Sequence, residues 1–176
     1  MYCIAEKAKQ KDLAIILKIF EDNHKSGSFS NTDYKPSIYN LDKLWTFSFN
    51  GQMVGYAIVQ NGLPANRIPT ELYIELEDSE ILFICQIAID TESKRRGYGT
   101  LFYNLLAQNN PVIYAYVALS SKQSMNFHRA YGFKIVGVFE PPKAPGEVLD
   151  DRFYLMRYEL ETSIGHSFTA SDLCVV

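Results

Sequence analysis

The stretch that decides the fold spans residues 81–102 and reads ILFICQIAIDTESKRRGYGTLF. Its first nine residues are mostly apolar and rich in isoleucine, which is typical of a buried central strand. Two glycines, Gly97 and Gly99, follow at the start of a segment whose apolar residues recur at helical spacing. Because glycine lacks a Cβ atom, another molecule can approach the N–H groups at this helix N-terminus, and such N-termini bind anions. The stretch therefore predicts a strand, a turn and a helix that together bind a phosphate.

Three basic residues precede the glycines and add positive charge to the predicted phosphate site: Lys94, Arg95 and Arg96. The pattern differs from the dinucleotide-binding fingerprint, which needs G-x-G-x-x-G, and from a P-loop, because no G-K-[ST] follows the turn. Its spacing resembles the [Q/R]-x-x-G-x-[G/A] motif of the GNAT superfamily of N-acetyltransferases, which holds the pyrophosphate of acetyl-coenzyme A. Lys94 stands where that family usually has Gln or Arg. A plain basic surface turn or localisation signal is the alternative interpretation.

Length and composition limit the class of protein. The 176 residues suit one domain, and an apolar content of 47% is ordinary for a globular chain. A net charge of −3 argues against general nucleic-acid binding, and no apolar run is long enough to span a membrane. The N-terminus lacks a secretory signal pattern, and three widely spaced cysteines are typical of reduced thiols rather than a disulfide framework or a metal site. We therefore expect a cytoplasmic protein without a metal that binds neither nucleic acid nor membranes. These counts do not distinguish a monomer from a homodimer.

Apolar periodicity predicts the remaining elements. Before the central strand we expect an edge strand at residues 2–8, an amphipathic helix at 11–23 and a polar loop at 25–40 that can hold one helical turn. These are followed by a hairpin around Asn50-Gly51 at 44–60, a second loop at 61–70 and an extra strand at 71–77. After the phosphate-binding helix we expect three strands, at residues 112–117, 133–139 and 152–160. A helix between the first two of these should begin at a capping box of Ser120 and Gln123 and end at Gly132.

A second motif lies in this later helix, where residues 121–133 read SKQSMNFHRAYGF. Ser121 stands where the GNAT pattern N-x-x-[AS]-x-x-[FL]-[YH]-x-x-x-G-F usually has Asn, and the matching residues are Ser124, Phe127, His128, Gly132 and Phe133. Two motifs at the right separation, joined by a strand, imply the GNAT fold over residues 2–160. The expected fold is a single α/β (α+β) domain at residues 1–160, with a mixed sheet of about six or seven strands, about four flanking helices and a splayed central strand pair. Residues 161–176 form a tail that we expect to be peripheral or partly disordered.

The resemblance implies direct transfer of an acetyl group from acetyl-CoA to a primary amine of a small molecule or amino acid. It also implies coenzyme contacts on the central strand, at the turn and helix start, and on the later helix: Ile87, Ala88, Ile89, then Lys94, Arg95, Arg96, Gly97, Tyr98, Gly99, Thr100, and Ser121, Ser124, Phe127. In the family the central strand splays from its neighbour, and the pantetheine arm pairs with the freed backbone. Main-chain N–H groups near Ile87 would then stabilise charge on the thioester oxygen.

The residues that would move protons follow from the resemblance and from their position. His128 occupies the family's usual tyrosine position and would act as the general acid, as in the phosphinothricin-type branch, which also tends to carry histidine there. The alternative for His128 is a packing role, and Tyr131, one turn further on, is the second candidate donor. For the general base, Glu80 just before the central strand is a candidate, with Glu71 and Glu75 as others. Deprotonation of the amine by bulk water is also open.

Strand alternation places Phe83, Cys85 and Ile87 on one face of the central strand. Phe83 stands where several branches of the family have a carboxylate, and we expect it to line the acceptor pocket. Cys85 would lie near the thioester, but a thiol in an apolar strand has a raised pKa and is usually inert.

The acceptor is not determined by these residues. In this fold the acceptor site is built from the early loop and the late hairpin, here residues 26–40 and 141–151. Acidic residues in both would suit a cationic amine, whereas Lys35 or Arg152 would suit an acceptor that carries a carboxylate. Three other functions are compatible with the sequence: a protein N-terminal or lysine acetyltransferase, an acyl-CoA-binding sensor without turnover, and a protein-interaction domain.

Overall fold

A computed structural model describes residues 2–25, 35–62, 81–140 and 152–160 of the chain. The strands are β1 (Cys3–Lys7), β2 (Leu44–Phe49), β3 (Gln52–Asn61), β4 (Ile81–Ile89), β5 (Val112–Ala118), β6 (Lys134–Phe139) and β7 (Phe153–Glu159). The α-helices of these residues are α1 (Leu13–Lys25), α2 (Tyr98–Ala107) and α3 (Lys122–Tyr131). Short 3-10 segments span Gln10–Asp12, Ile38–Lys43 and Thr91–Ser93.

The strands form one seven-stranded sheet in the order β1-β2-β3-β4-β5-β7-β6. Among the described strands, β4 and β5 pair in parallel and the other neighbours are antiparallel. A parallel pair needs a crossover connection, which α2 supplies. The mixed sheet with its helices confirms the expected fold class. The described part of the chain contains three α-helices where about four were expected.

The hairpin between β2 and β3 forms where the sequence predicts it. Asn50 and Gly51 have φ angles of 49° and 81°, and a type I′ turn requires positive φ at both central residues. The twist of this turn matches the twist of the flanking strands. The hairpin therefore presents β3 as the antiparallel partner of the central strand β4.

β4 and β5 pair along only part of their length. Residues 81–84 of β4 pair with residues 112–115 of β5, whereas β4 continues against β3 as far as Ile89 and β5 continues against β7 as far as Ala118. The two strands therefore separate after Ile84, as expected for a splayed central pair. We call the space between residues 85–89 of β4 and residues 116–118 of β5 the β4–β5 gap.

A β-bulge in β4 changes which residues share a face. The register against β3 skips Cys85, because neighbouring β3 residues lie opposite Ile84 and Gln86. Ile87 consequently packs in the same buried cluster as Ile84, and not in the cluster that contains Phe83 and Cys85. The prediction that Phe83, Cys85 and Ile87 lie on one face was therefore wrong.

The core lies on both sides of the sheet. On the side covered by α1, which we call the α1 face, Ile16 packs in one cluster with Phe83. On the other side, the α2 face, the ring of Phe102 stacks on the ring of Phe47 with 5.0 Å between the centroids. Both faces are covered, which explains why the sequence of β4 is an almost uninterrupted apolar run.

α3 begins one residue later than predicted. Its N-cap is Ser121, which makes no side-chain capping bond, so the predicted capping box of Ser120 and Gln123 was wrong. The predicted end is confirmed, because Gly132 has a φ of 113°, the left-handed conformation that commonly terminates helices. The N–H of Phe133 then donates to the carbonyl of His128 at 3.0 Å, which closes the last turn.

Several expected features lie outside the described residues. They are the extra strand at 71–77, most of the early loop, the late hairpin turn and the tail at 161–176. The boundary of the domain at residue 160 stays a prediction. Of the helices that the structure describes, none has both the length and the apolar character that crossing a bilayer requires.

Candidate active site

The part of β4 beyond Ile84 directs the backbone N–H and carbonyl groups of two residues into the β4–β5 gap. Asp90 donates its N–H to the carbonyl of Val54 on β3 at 2.9 Å. Backbone groups alternate sides along a strand, so those of Ala88 also face β3, while those of Ile87 and Ile89 face the gap. No described strand pairs with this side of β4 beyond residue 84. The expected strand contacts therefore divide into the gap-facing Ile87 and Ile89 and the β3-facing Ala88.

A buried asparagine on α1 supports the end of this strand. The Nδ2 atom of Asn23 donates to the carbonyl of Ile89 at 3.0 Å and to the carbonyl of Ile19 in its own helix at 2.9 Å. Asn23 is 2% exposed. The amide thus occupies one acceptor position of the Ile89 carbonyl and holds the C-terminal end of β4 beside α1.

The N-terminus of α2 lies where the sequence predicts an anion site. Gly97 is the N-cap, with a φ of 80°, and its carbonyl accepts the first helical bond, from Leu101. The helix itself provides no partner for the N–H groups of Tyr98, Gly99 and Thr100, because they lie in its first turn. Among the described residues, a Cβ atom at position 97 would meet no heavy atom within 4 Å. The described part of the chain therefore leaves the space beside Gly97 open to a ligand.

Gly99 is required for a different reason from the one that the sequence indicates. A Cβ atom built on Gly99 would lie 2.9 Å from the Cζ atom of Phe127 on α3, which is closer than a van der Waals contact. The Phe127 ring therefore lies directly against the side of Gly99 on which a Cβ atom would stand. This contact joins the two motifs, because Phe127 of the second motif covers the glycine of the first.

The basic turn carries its charges in two environments. Arg95 and Arg96 are exposed, and Arg95 has a positive φ of 62°. Lys94 is partly buried, and burial lowers its pKa below the usual value, although nearby Asp90 acts in the opposite direction. Ser93 holds the turn, because its N–H donates to the Asp90 carbonyl at 2.9 Å and its hydroxyl donates to the Asp90 carboxylate at 3.2 Å.

The side chain of Tyr98 turns away from the phosphate site. Its ring packs against Phe49 and Phe47 on β2, with centroid distances of 5.0 and 6.3 Å. Tyr98 can therefore contact a phosphate through its backbone N–H, while its ring anchors the start of α2 to the sheet. Thr100, which is exposed, lies in the same first turn.

His128 lies inside the protein and uses both ring nitrogens there. It is 3% exposed. Its Nδ1 atom is 2.7 Å from the carbonyl of Ser124, and its Nε2 atom is 2.8 Å from the hydroxyl of Tyr103. A carbonyl only accepts, so Nδ1 carries the proton and Nε2 of the neutral ring accepts from Tyr103. Burial also lowers the pKa of His128 below its usual value.

These contacts argue against the predicted general-acid role of His128. Neither nitrogen is left to reach a sulfur atom, and the neutral ring holds its only N–H proton on Ser124. The ring instead connects α3 to α2 through Tyr103, with further ring contacts to Phe127 and Phe133 at 5.4 and 5.1 Å. The described contacts of His128 therefore match the packing role that was its alternative.

Tyr131 is also engaged on the α2 side. Its hydroxyl donates to the Oδ1 atom of Asn104 at 2.9 Å, and burial is the main cause that raises its pKa. Asn104 lies six residues after Tyr98, about 9 Å along the axis of α2 from its start. The hydroxyl of Tyr131 is thus bonded to a residue in the second half of α2.

The remaining predicted site residues differ in burial and in position. Phe83 is fully buried and packs on the Tyr116 ring at 5.6 Å. Ser121 and Ser124 are partly exposed at the start of α3. Glu80, together with Glu71 and Glu75, lies outside the described residues.

Sequence reasoning missed one polar pair beside the gap. The hydroxyl of Tyr56 on β3 donates to the Oε1 atom of Gln86 on β4 at 2.8 Å. Gln86 is the one polar residue within the apolar run of β4, and this interruption is the signal that points to it. Its side chain follows the bulge residue Cys85 and is partly exposed.

Comparisons with known proteins agree with this geometry. The family model described as Acetyltransferase (GNAT) family matches residues 20–133, which is more than half of the chain. No curated protein matches the sequence.

Solved structures with the same fold have low sequence identity to the chain. A GNAT-family acetyltransferase from Streptococcus agalactiae 2603 aligns with a TM-score of 0.70 at 16% identity, over 89% of this chain and 95% of its own. YncA from Salmonella typhimurium, solved with its cofactor acetyl-CoA, aligns with a TM-score of 0.60 at 15% identity, over 93% and 96% of the two chains. The ribosomal-protein-S18-alanine N-acetyltransferase from Escherichia coli aligns with a TM-score of 0.58 at 13% identity, over 96% and 100%. Given the family match and the splayed sheet beside a glycine-rich helix start, the chain belongs to the GNAT family of acetyltransferases, N-acetyltransferases whose co-substrate is acetyl-CoA.

Proposed function

We propose that the protein transfers the acetyl group of acetyl-CoA to a primary amine of a small molecule or amino acid. The observation that carries this proposal is the separation of β4 and β5 after Ile84, directly before the N-terminus of α2. The gap exposes the backbone of Ile87 and Ile89, and the helix start exposes N–H groups beside a cluster of basic residues. One ligand with an amide-containing arm and a pyrophosphate would fit both features.

The phosphate groups are proposed to bind at the start of α2. The N–H groups of the first helical turn would donate to phosphate oxygens, and the helix dipole would add to this attraction. The nearby positive charges belong to Lys94, Arg95 and Arg96. Gly97 leaves space for the ligand, and Phe127 supports the turn from α3.

The chemistry that the residues of the gap can support is acyl transfer. Acetyl-CoA supplies a thioester whose carbonyl carbon accepts a nucleophile. The amine nitrogen of the acceptor forms a bond to that carbon, the carbon–sulfur bond breaks, the amine loses one proton and the sulfur gains one. The N–H of Ile87 faces the gap and is the donor that we propose for the carbonyl oxygen, where negative charge develops.

The proton acceptor is proposed to lie outside residues 81–90. Within residues 81–90 the one carboxylate is Asp90, which accepts a hydrogen bond from Ser93 and supports the turn. Glu80 therefore stays our candidate for the base, with Glu71, Glu75 and bulk water as the alternatives. His128 and Tyr131 have no role in this proposal, because their polar atoms are used between α2 and α3.

We also propose a cellular compartment and a class of acceptor for the protein. Three widely spaced cysteines are typical of a reducing compartment, so we place the protein in the cytoplasm. The acceptor is proposed to be a small molecule rather than a nucleic acid, because the net charge is −3.

The test begins with calorimetric titration of the purified protein with acetyl-CoA and then with desulfo-CoA. Saturable binding of both would support the phosphate site, and release of free thiol in the presence of an amine would support transfer. Binding without thiol release for any amine would favour an acyl-CoA sensor instead. Absence of binding would contradict the proposed site itself.

A further inference from the structure

The polar pair of Tyr56 and Gln86 stands beside the reactive part of the gap. Gln86 directly precedes Ile87, whose N–H faces the gap, so the two Cα atoms are about 3.8 Å apart. The side chains of Gln86 and Ala88 point to the same side of the strand, and Ala88 and Tyr56 belong to the cluster of the α1 face. The amide group therefore lies on the α1 face at the edge of the gap.

The hydrogen bond to Tyr56 determines which way the amide points. Tyr56 is fully buried, and burial raises the pKa of its hydroxyl, so the hydroxyl stays protonated and needs an acceptor. Oε1 of Gln86 is that acceptor at 2.8 Å. The flipped amide would place an N–H group opposite the hydroxyl and leave the buried phenol without an acceptor. The bond therefore turns Nε2, with its two protons, away from Tyr56.

The Nε2 group is available to a ligand. Gln86 is partly exposed, and within the described residues its Nε2 atom has no hydrogen-bond partner. The phosphate site at the start of α2 lies on the α2 face, so the coenzyme approaches the gap from that side. The side left for the acceptor is the α1 face, where Gln86 presents its donor.

We propose that Gln86 is a specificity-determining residue that donates a hydrogen bond from Nε2 to a carboxylate or carbonyl oxygen next to the reacting amine. The acceptors of the enzyme are then amines that carry such an oxygen, which free amino acids and peptide N-termini share. Polyamines and aminoglycosides lack this oxygen. The amide of Gln86 is neutral, so it does not attract a cationic amine electrostatically. A carboxylate at this position would do so. The inference rests on the proposed acetyl transfer and narrows its acceptor.

The experiment compares three pools of acceptors by thiol release from acetyl-CoA. The first contains the standard amino acids, the second contains dipeptides with a random first residue, and the third contains putrescine, spermidine and an aminoglycoside. We expect the wild-type enzyme to prefer the first or second pool to the third by about tenfold or more, as a site that hydrogen-bonds a substrate discriminates against analogues without the partner group. The preferred pool distinguishes amino acids from peptide N-termini.

The variant Gln86→Glu keeps the acceptor for Tyr56 but replaces the amide donor by a carboxylate. We expect kcat/KM to fall about 10- to 100-fold for free amino acids, whose carboxylate stands next to the amine, and about 3- to 10-fold for dipeptides, which have a neutral carbonyl there. We expect no fall for the third pool. The Kd for acetyl-CoA should stay unchanged. Gln52→Glu is the matched control, because it makes the same charge change at an exposed position of β3. Tyr56→Phe with Gln86→Leu removes both polar partners and tests the donor without leaving a buried hydroxyl unpaired.

The outcomes separate this inference from the proposed function. Selective loss for the first two pools in Gln86→Glu and in the double variant supports the role of Gln86. A wild-type preference for the third pool, or an equal loss for all three pools, would overturn it while leaving acetyl transfer intact. Coenzyme binding without transfer to any pool would overturn the proposed transfer and this inference together.

Discussion

Replacement of His128 by phenylalanine should destabilise the protein far more than it slows acetyl transfer. The ring is 3% exposed, and its nitrogens lie 2.7 Å from the Ser124 carbonyl and 2.8 Å from the Tyr103 hydroxyl. Phenylalanine fills the same space but leaves the buried Tyr103 hydroxyl without its acceptor, which costs about 1–3 kcal/mol. For a chain of this length, such a loss lowers Tm by about 2–12 °C.

Two assays on the same preparation distinguish a structural role from a catalytic one. Thermal unfolding gives Tm, and initial rates of thiol release give kcat and KM at a temperature where both proteins are folded. We expect kcat within about threefold of wild type, because loss of a general acid typically costs about 10²- to 10⁴-fold. A kcat loss of that size with an unchanged Tm would refute the structural role. The double variant His128→Phe with Tyr103→Phe should recover much of the lost stability, since it removes both partners of the bond.

The same contacts predict how stability depends on pH. Burial lowers the pKa of His128 in the folded protein, while the unfolded chain titrates near the usual value of about 6.5. As the pH falls below that value, the unfolded state binds a proton that the folded state does not, so stability decreases. The Tm of the wild-type protein should therefore fall more steeply between pH 7 and pH 5 than that of His128→Phe. Parallel curves would show that the ring titrates alike in both states.

Three further variants test the contacts at the start of α2 and at the end of β4. Gly97→Ala places a side chain at a φ of 80°, and this backbone strain costs about 1–2 kcal/mol of stability. Calorimetry should also show the affinity for acetyl-CoA reduced about tenfold or more. Unchanged affinity would contradict the phosphate site. Gly99→Ala brings a Cβ to 2.9 Å from the Phe127 ring, so we expect about 1–3 kcal/mol of destabilisation by overpacking. Adding Phe127→Leu should restore Tm, and failure to do so would exclude this contact as the cause. Asn23→Ala removes the support of the Ile89 carbonyl at 3.0 Å, which should lower both Tm and coenzyme affinity, whereas a loss of Tm alone would limit Asn23 to stability.

Local sequence signals predicted the parts of the fold that depend on a few neighbouring residues. Asn50 and Gly51 form the predicted tight turn because both tolerate positive φ, and Gly132 ends α3 for the same reason. The apolar run of β4 predicted a central strand, because a strand covered on both sides needs apolar residues at every position. The splayed pair was expected from the family resemblance and is present in the structure.

The catalytic residues were less predictable, because their roles depend on which atoms lie across the space between elements. A motif places His128 on α3, but helical spacing does not say that Tyr103 of α2 faces it and takes its second nitrogen. Spacing likewise gave Gly99 a role in ligand access, but it does not say that the Phe127 ring lies 2.9 Å from the position that a Cβ atom of residue 99 would take. The bulge at Cys85 reverses the alternation that placed Ile87 with Phe83, and periodicity has no signal for one extra residue in a strand.

The sequence by itself therefore determined the order of the described elements, the glycine-rich helix start and the turn at Asn50-Gly51, since these follow from backbone freedom and from the spacing of apolar residues. Only the tertiary structure decided which polar atoms face the β4–β5 gap. It buries His128 between two helices, and it aligns the amide of Gln86 through the hydroxyl of Tyr56, thirty residues away in the chain. The physical reason is that a hydrogen bond between distant residues depends on register and packing across the whole sheet, which no local pattern records.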